Sequence, residues 1–167
     1  MTFQTESRLD DTDWAILREL QADARLSFSA LGRRVNLSAP AVAERVRRLE
    51  SVGVIAGYRA QVDPARAGQP VAAFIQMRCD RDRCLLRTTT SNDYPEIVEI
   101  HKLSGEYCSM LRVRATSMEH LEGLIERLGE HGLARSSVVL STQFDGRPVE
   151  PPRPGPPSPS HSAGWRR

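Results

Sequence analysis

Nowhere in this 167-residue chain does an apolar run approach the ~18 residues needed to span a bilayer. The opening MTFQTESRLD has neither the early basic region nor the apolar core of a secretory signal. No membrane association is expected, and the chain is expected to work in the cytoplasm. Cysteine is scarce: Cys79, Cys84 and Cys108 form an odd set, which argues against a disulfide framework and for reduced thiols. They show no CxxC pair or His/Cys cluster, and His101, His120 and His131 fall in three different elements, so neither a metal site nor a cofactor is expected. Also missing are a GxGxxG or phosphate loop, and Ser104-Gly105-Glu106 is not a nucleophile elbow. His101 and Glu106 are equally well explained as polar loop residues as by acid-base chemistry, so the chain is not expected to be an enzyme.

What the chain does have is an uneven charge. From Arg25 to Tyr58 there are six arginines against two glutamates, whereas residues 63–146 carry ten basic and twelve acidic side chains. A cationic first part beside a mildly acidic second part points to an anionic partner for the first.

The spacing of Trp14, Ile16, Leu17 and Leu20 predicts a first helix over about residues 11–21, with Asp10 as its cap and Asp11 and Asp13 near its positive end. Ser27 caps a second, two-turn helix bearing Phe28, Leu31 and Val35, and Asn36 suits the left-handed turn after it. Ser38 and Pro40 open a third helix over Ala39 to Glu50, with Val42, Val46 and Leu49 inward. Arg45, Arg47 and Arg48 cannot all share that buried stripe. Gly53 and Gly57 flank a short β-branched pair that reads as a turn feeding a wing-like strand.

Two short helices joined at Asn36 have the form of a helix-turn-helix, whose second helix would enter the major groove of double-stranded DNA. Ser38, Ala39, Ala43, Glu44 and Arg47 are the base-reading candidates. Arg33, Arg34, Arg45 and Arg48 are assigned to phosphates or, for some of them, to ion pairs inside the domain. A helical unit that binds protein instead, in an oligomeric interaction module without DNA binding, is the competing reading.

Asp63-Pro64 and Gly68-Gln69-Pro70 mark a boundary. Beyond it PVAAFIQMRC reads as a strand, residues 81–94 as a weakly marked short helix, and Ile97–Leu103 and Tyr107–Ala115 as a hairpin. Thr116 with Glu119 forms a capping-box pattern ahead of a helix through Leu121, Leu124 and Leu128, and Leu133–Phe144 reads as a last strand. The fold class is therefore α+β: a winged helix-turn-helix domain with linking strand (1–62), a linker (63–69), a ferredoxin-like βαββαβ domain (70–146) and a disordered tail (147–167) with seven prolines. The sheet face opposite the helices, with Phe74 or Met110, would expose an apolar patch and favours a homodimer. Within KLSGEYCSM, Gly105 suits either a small anion or zwitterion held by main-chain amides or a plain hairpin turn.

Taken together, LDDTDWAILRELQADAR, LSAPAVAERVRRLESVGVIAGYRA and LSGEYCSMLRVRA resemble the Lrp/AsnC, or feast/famine, transcriptional regulators over about residues 9–145. The resemblance implies sequence-specific DNA binding, with the recognition helix inside Leu37–Glu50. It also implies a linking strand at Ile55–Val62 that contributes to the dimer, and dimers assembling to octamers as in many members. An amino-acid-like effector would lie near Leu103, Ser104, Gly105, Glu106, Tyr107 and Cys108. The family's turn usually reads glycine, an acid, an aromatic and aspartate. Here Cys108 stands at the last place, which removes a carboxylate partner for an effector's ammonium group.

Overall fold

The computed structural model describes residues 9–80, 82–88 and 92–152, and places them in two compact units, one holding the chain up to Arg59 with the segment from Gly146 onward, the other Ala60–Asp145. In the first unit lie α1 (Asp11–Ala22), α2 (Phe28–Val35) and α3 (Ala39–Ser51). All three starts are local chemistry. Asp10 and Asp13 form a reciprocal capping box, Ser27 accepts from the Ala30 amide, and Ser38 accepts from the Ala41 amide ahead of Pro40. Asn36 ends α2 in the left-handed region at φ 56°, the turn its short amide tolerates.

That turn is tight. The Leu37 amide donates to the Gly32 carbonyl, and a Cβ placed on Gly32 would lie 2.5 Å from the Leu37 carbonyl oxygen. Hence only glycine lets the end of α2 approach the entry to α3. The core beneath consists of Ile16, Leu17, Leu31, Val42, Val46 and Leu49.

Two expectations for this unit are corrected. Among the described residues no strand lies between Asn36 and Gln69, so the wing is not formed, while the linking strand at 55–62, expected to contribute to a dimer, has no partner within one chain. The Val54 and Ile55 amides both donate to the Leu49 carbonyl, so Gly53 and its neighbours finish a helix instead of starting a hairpin. An extended segment with no second segment beside it in its own chain cannot be a strand. The tail is also not uniformly free: the Val149 amide donates to the Gln21 side chain at 2.7 Å and its carbonyl accepts back at 3.1 Å, whereas residues 153–167 lie outside the described residues.

In the second unit, β1 (Val71–Cys79), α4 (Leu85–Thr88), β2 (Ile97–Lys102), β3 (Ser109–Ala115), α5 (Met118–Gly129) and β4 (Gly132–Val138) give the ferredoxin-like order β2-β3-β1-β4, with each neighbouring pair antiparallel. Alternation sorts the faces. Ala73, Ile75 and Met77 from β1 and Leu111, Val113 and Ala115 from β3 bury against Leu85 and against Leu121, Leu124 and Leu128 of α5. On the other face Phe74, Met110, Arg112 and Arg114 are partly exposed, so that face is mixed and not the apolar patch expected. The strand expected to reach Phe144 ends at Val138, and α5 is capped by Ser117, with Thr116 instead bonding His120 Nδ1 at 3.0 Å.

Glu96 is buried beside α5, where its Oε1 meets His120 Nε2 at 3.0 Å and the Arg127 guanidinium. Burial alone would raise its carboxyl, but bonds from its own amide, His120 and Arg127 outweigh that and hold it below the ordinary 4.5. The stabilisation is thus present above that ordinary value and lost as pH falls through the lowered one.

Two outcomes follow from this packing. Gly32→Ala should lower stability by about 1–3 kcal/mol through overpacking, read by denaturant unfolding of the full chain. Glu96→Gln should cost about 1–3 kcal/mol near neutral pH, Arg127 being half in water, and the gap in melting temperature from the parent should close as pH falls below the ordinary carboxyl range and through the lowered value of Glu96.

Candidate nucleic-acid interface and effector region

The three arginines of α3 are divided by one carboxylate. Asp13 of α1 is fully buried, and its Oδ1 accepts from Arg45 at 2.9 Å while its Oδ2 accepts from Arg48. Arg45 also reaches Asp10 at 2.7 Å, a bond that holds the Asp10 carboxyl below its usual range and raises Arg45 in return. Arg45 and Arg48 are therefore tied into the helical unit, the ion-pair alternative that their sequence assignment left open. Arg34 pairs with Glu19 at 2.7 Å, whereas Arg33 is exposed and has no ion pair among the described residues.

Alongside Arg48 on the outer face of α3, Pro40, Glu44, Arg47 and Ser51 follow one another at spacings of four, three and four and are all exposed. The Glu44 and Arg47 side chains are 83% and 69% exposed and only 3.7 Å apart, a loose pair that leaves both available. Ser38 is exposed at the helix start and Ala39 is half-buried. Ala43 belongs to the core at 6% exposure, so it drops out as a base-reading candidate: its small side chain lets α3 pack closely. Periodicity placed Val42 and Val46 inward, and Ala43 lies beside them on the same flank.

In the second unit the hairpin between β2 and β3 holds all the effector candidates. Leu103 donates its amide to the Cys108 carbonyl at 2.9 Å, Gly105 sits at φ 113° between them, and Ser104 and Glu106 are exposed. Glu106 pairs with Arg78 at 3.1 Å and is thereby turned along the sheet, while Tyr107 is half-buried. Two basic residues that the sequence reading passed over, Arg112 and Arg114, line a cavity of about 380 Å³ with Phe74 and Phe144, and the buried Arg112 Nε has no hydrogen-bond partner among the described residues. Their alternation on β3 was visible, but which face lay open was not.

The half-buried thiols give the sharpest correction. Spacing showed no cluster, yet the Sγ atoms of Cys79, Cys84 and Cys108 all lie within 4.8 Å of one another. Burial, then the bond to Cys108, pushes the Cys79 thiol up to about 12. Burial acts upward on Cys108 as well, but the bonds it receives, first from Cys79, hold it below the usual thiol range. The overlooked signal was the four-residue gap between Cys79 and Cys84, which lies within the usual range for paired ligands.

Replacing the buried anion tests the α3 arrangement directly. Asp13→Asn should cost about 2–3 kcal/mol, below the full penalty for a broken buried pair because both arginines can turn to water, and chemical denaturation with circular dichroism would register it.

Comparison with known proteins agrees with this geometry. Residues 9–50 match the AsnC-type helix-turn-helix domain and residues 72–149 match the Lrp/AsnC ligand binding domain. The HTH-type transcriptional regulator Rv2324 of Mycobacterium tuberculosis is 39% identical over 146 residues, covering 84% of this chain and 98% of that protein. The solved structure of Bacillus subtilis LrpC superposes with a TM-score of 0.77 at 33% identity, covering 84% of this chain and 99% of the other. The feast or famine regulatory protein Rv3291c of M. tuberculosis, solved in complex with L-methionine, gives 0.77 at 35% identity over 86% of this chain and 99% of its own. With both halves matched in order and relatives of this similarity spanning nearly their whole length, the chain belongs to the Lrp/AsnC family of helix-turn-helix transcriptional regulators.

Proposed function

We propose that this regulator binds double-stranded operator DNA as a homodimer, with α3 of each protomer entering major grooves ~34 Å or a multiple apart. The exposed stripe of α3 carries the reading. Arg47 and Glu44 face outward from a helix whose other two arginines are anchored from behind. Arg47 reads a base edge, its planar fork suiting guanine O6 and N7, and Glu44 suits a cytosine amino group. Ser38 and Ala39 lie at the helix start, nearest the bases. Arg33 and Arg34 approach phosphates, with Arg45 and Arg48 acting mainly as struts.

Support for the dimer comes from residues 56–62, whose backbone makes no hydrogen bond to backbone among the described residues, and from the partly exposed Phe74 on the sheet. Each offers a surface that a second copy can cover, and further dimers then build the octamer. An amino-acid-like effector binds the second unit near Leu103–Cys108, by analogy with relatives solved with L-methionine, and shifts DNA affinity only by its preference for one assembly state over another.

Selection of genomic fragments by the purified protein, with and without a panel of amino acids, tests operator and effector together. On a selected site Arg47→Ala should weaken binding about 5- to 100-fold and relax the preference at one base pair, whereas Arg33→Ala should weaken every duplex alike and flatten the salt dependence by about one unit of slope. Binding that ignores both substitutions and salt would replace the DNA reading with a protein-interaction module.

A further inference from the structure

Three segments distant in sequence bring the thiols together. Cys79 is the last residue of β1, Cys108 immediately precedes β3, and Cys84 immediately precedes α4. Pairing of Met77 with Ser109 sets the first two side by side, and the Cys79 amide donates to Cys108 Sγ at 3.4 Å. The third is held by the core: Leu85, next in the chain, is fully buried against Met77, Leu111 and Leu124. Asp80 and Arg83 beside them are bonded as well, the Asp80 amide on the His131 carbonyl at 3.0 Å, the Arg83 amide on the Asp80 carbonyl at 3.2 Å and the Arg83 carbonyl to His131 Nδ1 at 2.8 Å. Apart from the bond to Cys108 Sγ, these anchors do not involve the sulfurs, and the cluster is preorganised by the backbone and the core.

We propose that Cys79, Cys84 and Cys108 form a binding site for a thiophilic metal ion, copper(I) held by three sulfurs or zinc(II) held by the same three and an exogenous fourth ligand. Metal–sulfur bonds of ~2.3 Å place three sulfurs about 3.8–4.0 Å apart, so from separations within 4.8 Å each thiol needs only a small side-chain rotation. No histidine or carboxylate joins the group among the described residues, and His131, the nearby imidazole, has its other nitrogen on the Tyr94 hydroxyl at 2.9 Å. An all-sulfur set with no harder donor suits a soft cation.

Three sulfurs rather than two favour a metal over a disulfide, which would join one pair, require an oxidant and leave the third thiol outside. Three thiolates this close cannot persist without a cation to neutralise them. Binding is proton exchange without redox change: one ion displaces three protons from three thiols, giving a tris-thiolate complex of charge −1 with zinc(II) or −2 with copper(I). The site does not depend on the DNA-binding reading, and its test involves no DNA.

The full-length protein, reduced and kept anaerobic, is titrated with zinc(II), with cobalt(II) as the optical probe of that site, and with copper(I) delivered from a weak complex. The expected result is one ion per chain by native mass spectrometry, sulfur-to-metal charge-transfer absorption and release of up to three protons. Each single substitution, Cys79→Ser, Cys84→Ser or Cys108→Ser, should weaken binding by at least about tenfold. Since serine here can disturb folding, the unsubstituted protein is also alkylated with and without metal, and bound ion should protect all three thiols together. Equal binding by the parent and a folded triple Cys→Ser variant, or thiols that alkylate independently despite added metal, would overturn the proposal. So would a disulfide within the cluster in a protein that takes up neither ion when reduced.

Discussion

One buried carboxylate governs the first unit. Asp13 has both oxygens occupied, by Arg45 on one side and by Arg48 and the Asp10 amide on the other. A carboxylate excluded from water is costly unless its lone pairs find donors, and here its side-chain donors come from α3. The anchor therefore does more than offset its own burial. It ties α3 to α1 through Arg45 and Arg48, while burial of Val42, Val46 and Leu49 leaves Glu44 and Arg47 outward. The exposed stripe that carries the DNA reading lies beside that ion pair, Arg48 following Glu44 by one turn. A hydrophobic pair at the same place could hold the helices as tightly, but it would not tie Arg45 and Arg48 to one carboxylate.

What the sequence disclosed was mainly local. Asp10, Ser27 and Ser38 cap their helices as spacing predicts, and Asn36 adopts the left-handed turn, because each of these preferences is settled within about four residues. Alternation in β3 likewise separated the buried Leu111, Val113 and Ala115 from Met110, Arg112 and Arg114. Misreadings cluster where the deciding partner is remote or barely displaced. Ser117 takes the cap expected of Thr116, a one-residue shift between two hydroxyl side chains. Ala43 reads as surface by its company of charged neighbours, but the pitch of α3 places it beside Val42 and Val46. Arg45 and Arg48 cannot be separated from Arg47 by composition, since the carboxylate that claims them lies more than thirty residues earlier.

Residues 55–62 show the same limit in another form. Their β-branched and aromatic content reads as a strand, and the resemblance gives that strand a place in a dimer. Within one chain, however, the ends of the segment are claimed by other structure: the Ile55 amide closes α3, and the Asp63 carboxylate accepts the Ala65 amide in a turn. Strand propensity is a statement about available partners as much as about side chains. A segment that has the propensity without the partner is what a subunit interface needs before assembly.

Cys108 shows how a ligand preference can change while the fold stays still. Its main chain closes the hairpin in both directions, the amide on the Met77 carbonyl at 2.8 Å and the carbonyl on the Leu103 amide at 2.9 Å. Neither bond depends on the side chain, so the family's usual aspartate and this cysteine can occupy the same backbone. What changes is the chemistry delivered there: a hard anionic oxygen suited to an ammonium group gives way to a polarisable sulfur whose Sγ lies against two others. A lone cysteine at that place would only delete a function. Its effect here depends on β1 ending, and α4 beginning, with a cysteine within reach, which converts the loss of a carboxylate into a three-sulfur cluster.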